Sequence, residues 1–145
     1  MLILGCGNRQ RGDDAAGILA AEHLRALGIP AEICSGEVSD LIEAWTGSDD
    51  VIVIDAVVSG APSGTVHVWD WQRLPAFATS GGSTHGLGIA EAIELARALN
   101  RMPSRLLVYG IEGKNFEIGS EVSPEVERAV EEVVQRIARE ARRGE

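Results

Sequence analysis

The chain has 145 residues, 45% of them hydrophobic and 24% charged, with a net charge of −9. That length suits one domain around one core, residues 1–145, and the composition suits a water-soluble globular protein. The acidic balance excludes nucleic acid as a partner, because phosphate binding needs a basic surface, and no apolar run approaches the length of a membrane span. Met1 leads directly into a strand pattern with no basic, apolar leader, which predicts a cytoplasmic protein. The two cysteines, Cys6 and Cys34, form no CxxC pair and read as reduced thiols near strand ends.

Residues 1–5 read as a buried strand, followed by a loop containing Gly5, Gly7, Asn8, Arg9, Arg11 and Gly12. Ile18, Leu24 and Leu27 set a helical stripe over about 14–27, with Asp13 in the position of an N-cap and Gly28 as the stop. A second strand is expected at 31–35 and a short helix through Trp45, capped by Ser39 or Asp40. The continuous apolar run from Val51 to Ile54, closed by Asp55, predicts a central parallel strand. Thr65 to Trp69 alternates after a turn too short for a crossover helix, so it is expected to run antiparallel to its predecessor. Residues 72–84 read as a loop, and His85 and Gly86 open a third helix carrying Ile89, Ile93, Ala96 and Leu99. Arg105 to Tyr109 is the last strand. Ser123 and Pro124 start a final helix with Val126, Val130, Val133, Ile137 and Ala141 inward and Glu132 paired with Arg136 outward. The order β-α-β-α-β-β-α-β-α predicts a three-layer α/β fold with a mostly parallel, five-stranded sheet and one antiparallel strand.

In such a sheet ligands bind beyond the carboxyl ends of the parallel strands. The chain places Asn8, Asp13 and Asp14 after its first strand, Glu37 after its second, Asp55 on its third and Glu112 after its last, with His85 at a helix start on the same edge. Asp13 serves as a helix cap, whereas Asp14 is either a helix-dipole acid or points into the crevice. Asp55, next to a core, needs loop N–H groups, a metal or a substrate as partner. His85 is either structural or, as a neutral imidazole, a ligand. His23 and His67 read as surface residues. No G-x-G-x-x-G, GxxxxGK[ST] or G-x-S-x-G motif is present, so nucleotide binding and a serine nucleophile are unsupported. Asp14, Asp55 and His85 together are a mixed oxygen and nitrogen set suited to zinc, nickel or iron, and such an ion activates water for hydrolysis.

Leu4-Gly-Cys-Gly-Asn8 with Gly12-Asp-Asp-Ala-Ala-Gly17, Ile54-Asp-Ala56 with the turn from Gly60 to Thr65, Ser83-Thr-His-Gly-Leu-Gly88, and Val108-Tyr-Gly-Ile-Glu-Gly113 with Ser123-Pro-Glu-Val126 together resemble the nickel–iron hydrogenase maturation proteases. The resemblance spans nearly the whole chain and implies a phosphorylase/hydrolase-like αβα fold. It implies an endopeptidase that removes a C-terminal extension from a hydrogenase large-subunit precursor after nickel insertion, with nickel carried by the substrate. The family's metal-contacting residues fall on Asp14, Asp55 and His85. The chain departs from the family pattern in having Ala15 after the acidic pair and Gly36-Glu37-Val38-Ser39 after the second strand, a loop that bears on the choice of substrate. The alternative reading of the same residues is a nickel-sensing module that binds the large subunit without cutting it.

Overall fold

The computed structural model describes residues 1–75 and 87–143. Five strands, β1 (Leu2–Cys6), β2 (Glu32–Cys34), β3 (Asp50–Val57), β4 (Val66–Asp70) and β5 (Arg105–Glu112), form one sheet in the order β2-β1-β3-β5-β4. All neighbours are parallel except β4 and β5. The helices are α1 (Ala16–Ala26), α2 (Val38–Trp45), α3 (Leu87–Ala98) and α4 (Pro124–Arg143). The expected α/β class and the single antiparallel strand are both present. However, β4 pairs with β5 and not with β3, the strand before it in sequence.

Alternation along the strands produces two cores. Ile3, Ile52, Ile54, Tyr109 and Ile111 pack with α1 and α4, whereas Leu4, Cys6, Val51, Val53, Leu106 and Val108 pack with α2 and α3. β3 is buried along nearly its whole length, consistent with helices on both of its faces. α4 turns Val126, Val130, Val133 and Ile137 inward, and Glu132 and Arg136 pair on its outer face at 3.0 Å.

Several local expectations change. The first helical segment opens as a tight 3-10 turn, Gly12–Ala15, before α1 begins. Asp13 does not cap it. Its carboxylate accepts hydrogen bonds from the backbone N–H groups of Lys114, Asn115 and Ser123 at 2.9, 3.1 and 2.7 Å, and from the Ser123 hydroxyl at 2.8 Å. The Ser123 side chain is thus committed to Asp13, although Pro124 does open α4 and the Ser123 carbonyl accepts from Val126 and Glu127. Glu37, not Ser39 or Asp40, occupies the N-cap of α2, and Asp40 instead accepts the Ser35 hydroxyl. β5 runs three residues beyond Tyr109, through Gly110. A β-carbon there would stand 2.8 Å from the Trp69 ring that covers it, so glycine lets that ring lie close on the strand. Leu27 and Leu99 lie past their helices and are exposed.

The sheet order puts β1 between β2 and β3, so the chain runs from β1 to one side and then crosses from β2 to β3 on the other. A crevice opens at such a switch point beyond the carboxyl ends of the strands.

Candidate active site

A cavity of about 400 Å³ occupies that crevice. Gly7, Asn8, Arg11 and Asp14 line it from the segment after β1, Ser35, Gly36, Glu37 and Val38 from the β2–α2 connection, Asp55 from β3, and Gly88 from α3.

Asp14 is brought in by the turn before α1. Its N–H donates to the Arg11 carbonyl at 3.0 Å, and its own carbonyl accepts the Asn8 N–H at 3.2 Å. Gly7, with φ of 144°, lets the backbones meet, since a β-carbon there would fall 1.9 Å from the Asp14 carbonyl oxygen. Asp55 shares its strand face with Val51 and Val53 and lies beside Gly110 of β5. Both carboxylates are buried, each at 8% exposure. The Asp55 carboxylate accepts the Ala56 N–H at 2.9 Å. Burial pushes the Asp55 carboxyl well above its ordinary range, and the charge of Asp14 adds to the shift. Among the charges acting on Asp55, that of another acid, Asp14, is the largest.

Other residues of the expected sheet edge separate from this centre. Asp13 is buried but faces the β5–α4 loop. Burial alone would raise its pKa, but the donors from Lys114, Ser123 and Asn115 outweigh it and hold the carboxyl below its ordinary value. Glu112, only 1% exposed, is absent from the cavity wall. It accepts from the Ser59 N–H at 2.8 Å and from the Ser59 hydroxyl, and its Oε1 lies 3.1 Å from His67 Nε2. His67 is therefore a partly buried partner, stacked on Trp69 with centroids 4.7 Å apart, and not the surface residue its strand position suggests. His23 is exposed as expected. Of the two arginines of the glycine loop, Arg9 pairs with Glu22 on the surface at 2.9 Å, while Arg11 lines the cavity with its Nε donating to the Phe116 carbonyl at 3.2 Å. Ser35 and Gly88 join the wall without having been anticipated. Ser35 had a usable signal, its place directly after a parallel strand, but the packing of Gly88 had none. Its absent β-carbon would fall 1.9 Å from the Gly36 carbonyl oxygen.

His85 lies outside the described residues, as does most of the loop expected at 72–84. Among the described residues no three His, Cys, Asp or Glu side chains assemble into a metal-binding group. Nor is any helix among them long and apolar enough to cross a membrane.

The class is thus a three-layer α/β fold with two buried carboxylates at its switch point. The chain belongs to the hydrogenase maturation protease family, whose model matches residues 36–140. It is similar to the hydrogenase 2 maturation protease of Escherichia coli, at 29% identity over 94% of this chain and 87% of that protein. Its fold superimposes on the hydrogenase maturating endopeptidase HybD of E. coli with a TM-score of 0.83 and 27% identity, covering 99% of this chain and 92% of the other. The [NiFe] hydrogenase maturation protease HybD of Thermococcus kodakarensis matches with a TM-score of 0.76 and 27% identity over 97% of each chain.

Proposed function

We propose that this protein is an endopeptidase that removes the C-terminal extension of a nickel-loaded [NiFe] hydrogenase large-subunit precursor, with the nickel arriving in the substrate. The observation that carries the reading is the buried pair Asp14 and Asp55 in an open cavity, with the Asp55 carboxyl pushed up by burial and by its neighbour's charge. Two buried carboxylates facing one cavity form a site that a divalent cation suits. In this reading His85 completes a ligand set of two carboxylates and one imidazole, a donor mixture suited to borderline divalent ions. The nickel marks a filled substrate and polarises the peptide group to be cut. Asp55 and Asp14 would supply the two carboxylates of that set. Arg11, fixed through its Nε, presents a cation on the same wall. The exposed Glu37, at the start of α2, stands on the substrate-facing rim.

The test is incubation of nickel-loaded precursor with wild type, Asp55→Asn and His85→Ala, followed by mass spectrometry of the large subunit. The expected result is loss of the extension with wild type only. Trimming by both variants at the wild-type rate removes the site assignment. An intact C-terminus after long incubation with wild type removes the protease reading and favours a non-cleaving docking module.

A further inference from the structure

Cys6 and Cys34 end β1 and β2 as direct register partners. Paired residues of parallel strands project to the same face, and such strands lie about 4.8 Å apart, inside the range of α-carbon separations that a disulfide spans. Cys6 is fully buried in the core beneath α2 and α3. Cys34 sits at the edge of that core, 9% exposed, and lines a separate cleft of about 340 Å³ with Glu32, Ser35 and Asp40. One thiol of the pair is thus reachable and the other waits behind it.

The placement sets the order of attack. Cys34, at the core edge and on the wall of the cleft, is placed to meet an incoming disulfide, and Cys6, buried behind it, is placed to resolve the mixed disulfide.

Each cysteine also starts a wall of the candidate active-site cavity. Gly7 and Asn8 follow Cys6, and Ser35, Gly36 and Glu37 follow Cys34. The walls already meet once, through the Gly7 N–H and the Cys34 carbonyl at 3.2 Å.

We propose that Cys6 and Cys34 form a reversible disulfide modification site that takes a low-molecular-weight disulfide of the glutathione class as oxidant, and that closing the bond clamps the two cavity walls and slows substrate processing. In the first step the Cys34 thiolate attacks one sulfur of the small disulfide, forming a mixed disulfide and releasing one small thiolate. In the second, Cys6 gives up its proton and its sulfur attacks that of Cys34, releasing the second small thiol. Two protein thiols are oxidised and one small disulfide is reduced to two thiols. The new bond holds the sulfurs at about 2.05 Å, closer than any two unbonded sulfurs stand, so the residues that follow each cysteine are drawn together.

The effect on processing rests on the protease reading, whereas the chemistry of the bond does not. The experiment treats the reduced full-length protein with oxidised glutathione and reads intact mass and a non-reducing peptide map, then cleavage of nickel-loaded precursor. The expected product is about 2 Da lighter than the reduced protein and yields a linked Cys6–Cys34 peptide. It cleaves about tenfold more slowly or worse, and dithiothreitol restores it. Cys34→Ser, or Cys34→Ala should the hydroxyl impair folding, keeps its reduced rate in the presence of oxidant. Stable glutathione adducts without the linked peptide, or an unchanged mass, overturn the modification site. A linked peptide with unchanged cleavage overturns the clamp. Should the reduced protein leave the precursor uncut, the protease reading fails by itself, the mass data still decide the dithiol, and precursor binding by the two redox forms decides the clamp.

Discussion

A β-carbon on Gly17 would stand 2.3 Å from the carbonyl oxygen of Ile54, the residue before Asp55. It would stand equally close to the Cys6 carbonyl oxygen, so the first turn of α1 lies directly on the ends of β1 and β3. This contact sets the height of the preceding turn, and with it Asp14, against Asp55. Helix propensity favours alanine over glycine by about 1 kcal/mol, but the overlap is with backbone, which cannot swing aside. Gly17→Ala is expected to destabilise the fold by about 3 kcal/mol in urea unfolding. It should also lower precursor cleavage by more than the loss of folded protein accounts for. A gain in stability would show that propensity outweighs packing and that α1 has room to move.

Asp13 tests the acid side of the stability curve. Its carboxyl is held below its ordinary value in the fold, burial being outweighed by the donors of Lys114, Ser123 and Asn115. A depressed folded pKa contributes stability that is fully present above the unfolded value of about 3.9 and lost as pH falls through the folded one. Asp13→Asn should cost about 2 kcal/mol at neutral pH, because an amide nitrogen is turned toward N–H groups. The gap between the two proteins should narrow as pH drops below about 4. A constant gap from pH 7 to pH 3 would show that the charge of Asp13 contributes nothing.

That residue also marks where the sequence was legible and where it was not. β3 and α4 could be read because a continuous apolar run and a 3.6-residue stripe are local signals. The strand-end rule puts Asp14 and Asp55 on one sheet edge, where both line the cavity, since it needs only strand direction. Asp13 was misread because a cap and a long-range anchor share one local pattern, an acid before a helix, and its true donors lie over a hundred residues away. The end of β5 was set short because Gly110 looks like a breaker until the Trp69 ring above it is known. His67 and Glu112 were separated in the reading because their contact depends on β4 pairing with β5, and sheet order is not a local property. The same holds for Cys6 and Cys34, which lie 28 residues apart but side by side in the sheet.

Asp55 should behave oppositely to Asp13. Burial and the charge of Asp14 raise its folded pKa, so ionising it opposes folding. That penalty is absent below the unfolded value of about 3.9 and grows as pH rises toward the folded one. Asp55→Asn is therefore expected to melt a few degrees above wild type at pH 7 and alongside it near pH 3. Under the proposed function the same variant loses precursor cleavage by about 100-fold or more. A variant that is more stable and inactive separates a site role from a folding defect. One that is less stable at neutral pH would show that the Ala56 N–H bond to the carboxylate outweighs its desolvation.

Glu112 provides the control for a buried acid outside the cavity. It accepts from the Ser59 backbone and hydroxyl and meets His67, which ties the β3–β4 turn and the β4 edge to the end of β5. Removing the carboxylate leaves these groups without their acceptor in a site that is only 1% exposed. Glu112→Ala is expected to cost about 3 kcal/mol, with Glu112→Gln losing less because one acceptor oxygen remains. Neither change touches the cavity wall, so cleavage per folded molecule should stay at the wild-type level in both. Thermal melts read the first effect, and a precursor assay run well below the variant's melting point reads the second. A loss of cleavage in fully folded Glu112→Gln would place this acid in the processing machinery and extend the site across β5.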